Sequence, residues 1–178
     1  MVQVTVAGLI RNLNDSGCML LLHIPPLNKY LPIWIGQSEA MSIQMALQKE
    51  TFERPLTHDL LLTVIDGLEG KVSKVTVTDL RNNTFYAKVF IERGQEVFGI
   101  DARPSDSIAI AVRADAPIFV SESVLEQEKE NLVMLDEEAT REYLQKAEGL
   151  APTDRQDYKP EPDPEMDPDA PDEGEEPE

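Results

Sequence analysis

Two short segments, RPLTHD at residues 54–59 and DARPSD at 101–106, crowd together the residue types that phosphoryl chemistry needs. Each combines an Arg-Pro pair with a hydroxyl residue and an aspartate, and the first adds His58. Cleaving a phosphodiester requires a base or metal-bound hydroxide to make the nucleophile, positive charge on the phosphoryl oxygens, and a proton for the departing oxygen. Asp59, Asp101 and Asp106 offer carboxylates suited to Mg²⁺, which takes one or two of them and keeps water for a substrate phosphate. Arg54 and Arg103 offer the planar fork that fits phosphate. His58 offers an imidazole that can relay a proton. The expected site therefore has His58, Asp59, Asp101 and Asp106 as catalytic groups, the three aspartates as ligands of a divalent cation, and the two arginines on the substrate.

A plainer explanation competes with this one. Ser38-Glu39, Thr57-His58-Asp59 and Ser105-Asp106 each stand where an apolar helical pattern begins. A Ser or Thr oxygen there can take an orphan N–H, and a carboxylate opposes the helix dipole, each worth about 0.3 to 1 kcal/mol. Capping does not account for the Arg-Pro pairs or for Asp101, so both readings stand.

For these residues to meet, their elements must converge. VQVTVAG and CMLLLHI alternate around the turn residues of RNLNDSG, which predicts a first hairpin, and LPIWIG predicts another strand. SEAMSIQMALQK reads as a helix with Ser38 as its cap and Ile43, Ala46 and Leu47 on one face. A second helix is expected from Thr57 to a stop near Gly67. KVSKVTVTDL and TFYAKVFIE form a hairpin around Asn82 and Asn83, EVFGID is a strand, SDSIAIAVRA a helix ending before Pro117, and IFVS a last short strand. The expected class is α+β with a mixed, mainly antiparallel sheet. Laying Ser38 on Ser105 also aligns Leu31 with Phe98, Ile33 with Ile100, Glu39 with Asp106 and Ile43 with Ile110. That makes an internal duplication of a strand-to-helix unit a candidate and brings in Glu39 as an outer site residue.

Charge divides the chain. The net charge is −18, yet residues 1–120 hold 11 Lys/Arg against 13 Asp/Glu, whereas residues 152–178 hold 2 against 12. With seven Pro among its 27 residues, that last segment has too little apolar surface to offset the entropy of ordering it, so a disordered acidic tail is expected. The expected organisation is a domain over 1–125, a peripheral segment over 126–151 with a short helix in DEEATREYLQKAEGL, and the tail over 152–178. Cys18 is the only cysteine, which excludes an intrachain disulfide and a cysteine-based zinc site. The first residues alternate like a strand rather than reading as a signal peptide, and no segment approaches the roughly 18 apolar residues of a membrane span. A cytoplasmic protein is expected.

Conventional motifs are missing: no P-loop, GxSxG, HExxH or CxxC occurs. His23, in an apolar strand, is expected to be a buried, hydrogen-bonded histidine, and Trp34 and Phe85 are expected in the core rather than as base-stacking platforms.

LPIWIGQSEAMSIQMAL, RPLTHDLL, FYAKVFI, DARPSDSIAIAVR and PIFV, in that order and spacing, resemble the bifunctional nuclease domain family of bacteria and plants over roughly residues 2 to 125. Ile110 stands where Leu is more usual, a harmless exchange, and the acidic tail lies outside the family pattern. The resemblance implies an α+β domain and, from plant members, activity against both DNA and RNA. The leading expectation is a nuclease of broad specificity assisted by a divalent cation, with nucleic acid as substrate. The alternative is a non-enzymatic binding or regulatory module whose acidic tail addresses a basic protein partner; the nearly neutral front of the chain, without a basic cluster, keeps it open. Homo-oligomer formation through strand pairing is compatible with either.

Overall fold

Alternating apolar residues become strands, and the turns between them fall where the backbone must go left-handed. The computed structural model describes residues 1–11 and 17–134. In order, the elements are β1 (Val2–Arg11), β2 (Gly17–Ile24), β3 (Lys29–Gly36), α1 (Gln37–Leu47), α2 (Thr57–Gly67), β4 (Lys71–Arg81), β5 (Thr84–Arg93), β6 (Glu96–Ala102), α3 (Pro104–Arg113), β7 (Ile118–Val120) and α4 (Glu122–Gln127). The β4–β5 hairpin turns on Asn82 and Asn83, at φ 48° and 58°, the left-handed pair a tight hairpin requires. The first hairpin's turn, the expected helix at 136–149 and the acidic tail lie outside the described residues.

The fold is α+β. Among the described residues seven strands lie in the order β3-β2-β1-β7-β4-β5-β6, antiparallel at every pairing except β4 with β7. Two antiparallel meanders, β1–β3 and β4–β6, are thus joined through the three residues of β7. Each meander ends in a strand that runs into a helix, β3 into α1 and β6 into α3. The two meanders are alike in topology, which does not by itself establish the expected internal duplication.

The core lies between the helices and one face of the sheet. Leu20, Leu22 and Ile24 of β2, Leu31 of β3, Ile43 of α1, Val75 and Val77 of β4 and Ile108 of α3 are fully or almost fully buried. Each such side chain stabilises the fold by about 1.5–3 kcal/mol. Seven of the ten residues of α3 are buried, and its small residues Ala109 and Ala111 let it pack closely against its neighbours. By contrast α2 buries Ile65 but leaves Leu60, Leu61 and Val64 exposed, as is Leu68 just beyond its end.

The expected caps are not used. The N-cap positions are Gly36, Leu56 and Arg103, not Ser38, Thr57 and Ser105, and none of the three caps with its side chain. Each strand or loop enters its helix earlier than the hydroxyl residue, helped at α3 by Pro104, whose fixed φ and missing N–H suit the first turn. Only the acidic half of the expectation holds at α2, where the Asp59 carboxylate accepts the Leu56 N–H at 3.0 Å. Among the described residues no helix is long and apolar enough to cross a membrane.

Candidate active site

The first turns of α1, α2 and α3 meet at one place because all three helices pack on the same face of the sheet. Arg103, the residue between β6 and α3, donates from Nε to Asp106 Oδ2 at 2.7 Å and from Nη2 to Asp106 Oδ1 at 3.1 Å. Its Nη1 donates to Glu39 Oε1, on the first turn of α1, at 2.8 Å. The Arg103 carbonyl accepts from the Ser107 backbone N–H and hydroxyl, each at 3.0 Å, which fixes the start of α3 beneath the guanidinium. One cation therefore ties two helix starts together. Glu39 folds back over Gly36, where an added Cβ would collide with its carboxylate. A larger residue at Gly36 would move the end of the Glu39 side chain, while its φ of −73° suits any residue.

His58 enters this cluster from α2. Its Nε2 lies 3.4 Å from Asp106 Oδ1, and its Nδ1 lies 2.9 Å from Ser42 Oγ. A carboxylate can only accept, so the neutral ring donates from Nε2 to Asp106 and accepts at Nδ1 from the Ser42 hydroxyl. Asp106 is partly buried, which by itself raises its pKa; the hydrogen bonds and charge of Arg103, and then those of His58, outweigh this and hold the carboxyl below the ordinary value. Arg103 is raised in turn, first by its hydrogen bonds and charge pairing with Asp106 and then by Glu39. The cluster thus keeps a carboxylate and a guanidinium charged side by side, with an imidazole against the carboxylate.

The structure brings His58, Arg103 and Asp106 together with the outer candidate Glu39, and it sends the other expected residues elsewhere. Asp59 accepts from Arg113 Nε at Oδ1, at 2.6 Å, and from the Leu56 N–H at Oδ2, so it clamps α2 to α3. Arg113, with its side chain 8% exposed, needs that partner. Asp101 pairs in register with Lys88 on β5; it lies between Ile100 and Ala102, and strand alternation turns it to the opposite face of the sheet. Arg54 is exposed in the loop before α2 and forms no ion pair among the described residues. The three aspartates therefore do not fit a shared cation, and among the described residues no group of three or more His, Cys, Asp or Glu is arranged to hold one. Ser42 and Arg113 were missed by sequence reasoning. Ser42 is three residues beyond Glu39 on α1, the spacing that places both on one helix face.

Beside the cluster opens a groove of about 310 Å³, lined by residues that include Trp34, Gly36, Glu39, Asn83, Phe85 and Arg103. Trp34 is 60% exposed, against the expectation of a core position. Its neighbours Ile33 and Ile35 face the core, so alternation turns Trp34 outward. Phe85 does pack against the core, as expected. His23 is half-buried and its ring lies 5.0 Å from that of Tyr30, an aromatic contact in place of the expected full burial.

The sequence has relatives among known proteins. The Bifunctional nuclease domain profile matches residues 20–132, and the chain belongs to that family. An uncharacterized protein of Mycobacterium tuberculosis (strain H37Rv) is 43% identical over 125 residues, covering 70% of this chain and 74% of its own. Bifunctional nuclease 1 of Arabidopsis thaliana is 29% identical over 94 residues, 51% of this chain and 29% of its own. Bifunctional nuclease 2 of Oryza sativa subsp. japonica is 28% identical over 97 residues, 53% of this chain and 30% of its own. The chain thus spans less than a third of these plant relatives.

Proposed function

We propose that this protein hydrolyses phosphodiester bonds of DNA and RNA at the corner formed by Ser42, His58, Arg103 and Asp106. The observation that carries this reading is the continuous chain from Ser42 through His58 to Asp106, with Arg103 bound to the same carboxylate. The Arg103 side chain is 65% exposed, so it can turn donors to a phosphate while staying near its acidic partners. A water oxygen bonds to phosphorus, and its proton passes by way of the Ser42 hydroxyl to His58 Nδ1. The bond from phosphorus to the departing sugar oxygen breaks, and that oxygen leaves with the proton returned by His58. Asp106 orients the ring and stabilises the imidazolium. Glu39 holds Arg103 in position. The family membership and the plant nucleases' names support the reaction class.

A divalent cation was expected on the three aspartates, and they do not fit it together. Glu39 and Asp106 are the acids that share one positive partner, which is Arg103. Metal dependence is therefore part of the test. Wild type and His58→Ala should be assayed on single-stranded DNA and RNA in Mg²⁺, Mn²⁺ and EDTA. Cleavage by wild type, lowered about a hundredfold or more in the variant, is expected, the scale seen when a catalytic proton-transfer group is lost. No cleavage by wild type in any condition would leave the binding-module reading, and equal cleavage by both would remove His58 from the reaction.

The same reading places the protein in the cytoplasm as a homo-oligomer, with the acidic segment 152–178 addressing a basic protein partner. Pairing through β6 is favoured because that strand ends the sheet with Val97 and Ile100 exposed. An antiparallel second copy centred on Gly99 would set Phe98 against Ile100 in both directions. Ile100→Lys should convert a dimer to a monomer in sedimentation; a wild type already monomeric would remove the pairing.

A further inference from the structure

Trp34 is the one tryptophan of the chain, and it is turned to solvent beside a charged groove. A Trp carries one of the largest apolar surfaces available to a side chain, and leaving it exposed at a groove wall sets out a flat aromatic face for a ligand. Its position is not loose. The ring lies across Gly17 of β2, where an added Cβ would meet it at 3.5 Å, and Gly17 is paired with Gly36. The ring is thereby held at the end of β3 that runs into α1, and Trp34 lines the same groove as Glu39 and Arg103.

The groove's other groups suit one nucleotide. Asn83 and Thr84 offer an amide and a hydroxyl, Phe85 an apolar wall, and Arg103 a phosphate donor. At about 310 Å³ the space is at the small end of ligand pockets, which begin near roughly 300 Å³. A duplex would fit poorly for two reasons. Its bases are already stacked, so the Trp34 face would have nothing to cover, and its regular phosphates reward a basic stripe. Residues 1–120 hold 11 Lys/Arg against 13 Asp/Glu, so no such excess of positive charge exists there.

We infer that Trp34 is a base-stacking platform and that the groove takes one unstacked nucleotide of a single strand, with its phosphate toward Arg103. This rests on the phosphodiester reading for the direction of the strand, but stacking is measurable without cleavage. Because Trp34 is the only tryptophan, intrinsic fluorescence reports it directly. The full chain, as wild type and as His58→Ala, should be titrated with a short single strand, the same sequence as a duplex, and the same backbone with abasic sites, while anisotropy of a labelled strand reads binding separately.

Saturable quenching by the single strand, with little from the duplex or the abasic strand, is the expected result. Trp34→Leu should weaken single-strand binding by about tenfold, the size of one lost base-aromatic stack. Quenching without cleavage would uphold the platform and count against the nuclease reading. Cleavage without quenching would do the reverse. Binding by anisotropy with unchanged fluorescence, equal quenching by the abasic strand, or no binding of any strand would overturn the inference.

Discussion

The two strand-to-helix corners share a path and differ in what they hold. At the first, β3 ends at Gly36 and α1 begins at once; at the second, Arg103 alone separates β6 from α3. The first corner contributes one carboxylate, Glu39, folded over a glycine. The second supplies a cation and an anion from the same turn, Arg103 and Asp106, and draws both Glu39 and His58 to them. Burial follows the same division. α3 is mostly buried, whereas α1 buries Ala40 and Ile43 and keeps the rest at least partly accessible. Arg103 and Asp106 thus stand on the more deeply buried helix start, and the first corner adds Glu39 and a wall of the groove. Rigid support of this kind is what an electrostatic site requires.

The comparison breaks first at Arg103. Arg103→Ala should reduce cleavage of single-stranded substrate by about a hundredfold to a thousandfold, the cost of losing a preorganised charge at a phosphoryl centre, with circular dichroism unchanged. A loss of less than threefold would reduce Arg103 to a clip between helices. Asp106→Asn should lower cleavage by about a hundredfold while keeping the shape of the turn. It should also change the dependence of stability on pH. The Asp106 carboxyl is held below its ordinary value, so the stability it lends is complete above the unfolded value of about 3.9 and is lost as pH falls through the lower folded value. The stability difference between wild type and variant, read by urea unfolding, should therefore narrow between neutral pH and about pH 3.

Asp59→Ala sharpens the contrast from the other side, because its carboxylate serves packing. The change strands the Arg113 cation and should cost about 1–3 kcal/mol in denaturant unfolding, while activity per folded molecule holds within a few fold. A large loss of turnover with normal stability would return Asp59 to the reaction. The smallest effect is expected at the first corner. Gly36→Ala must displace the Glu39 carboxylate, and it should slow cleavage by about threefold to tenfold, on the order of a weak positioning contact.

Much of the fold could be read from alternation and turn residues. Asn82 and Asn83 mark their hairpin, and the alternating runs mark the strands around it. The order of strands could not be read, because β7 is only three residues long and nothing in IFV says that it lies between β1 and β4. Within the site, the Arg-Pro and Asp pattern located the second corner, while the partners of its residues depended on packing. Alternation in FGIDA already turns Asp101 away from Ile100 and Ala102, a signal obscured by its closeness in sequence to Asp106. The same alternation turns Trp34 outward, a signal hidden by its apolar type. Arg113 is a basic residue in the last turn of α3, and only the docking of α2 on α3 makes it the partner of Asp59.

The central place of β7 also sets an order of events during synthesis. Val2 pairs with Val120, and Ile118 with Val75, so neither meander can complete its inner edge until the last strand has been made. Such distant contacts slow folding, since long loops must close before the pairing rewards them. Until then the nascent chain carries two open inner edges, on β1 and β4, each able to pair wrongly with the other or with a neighbouring chain.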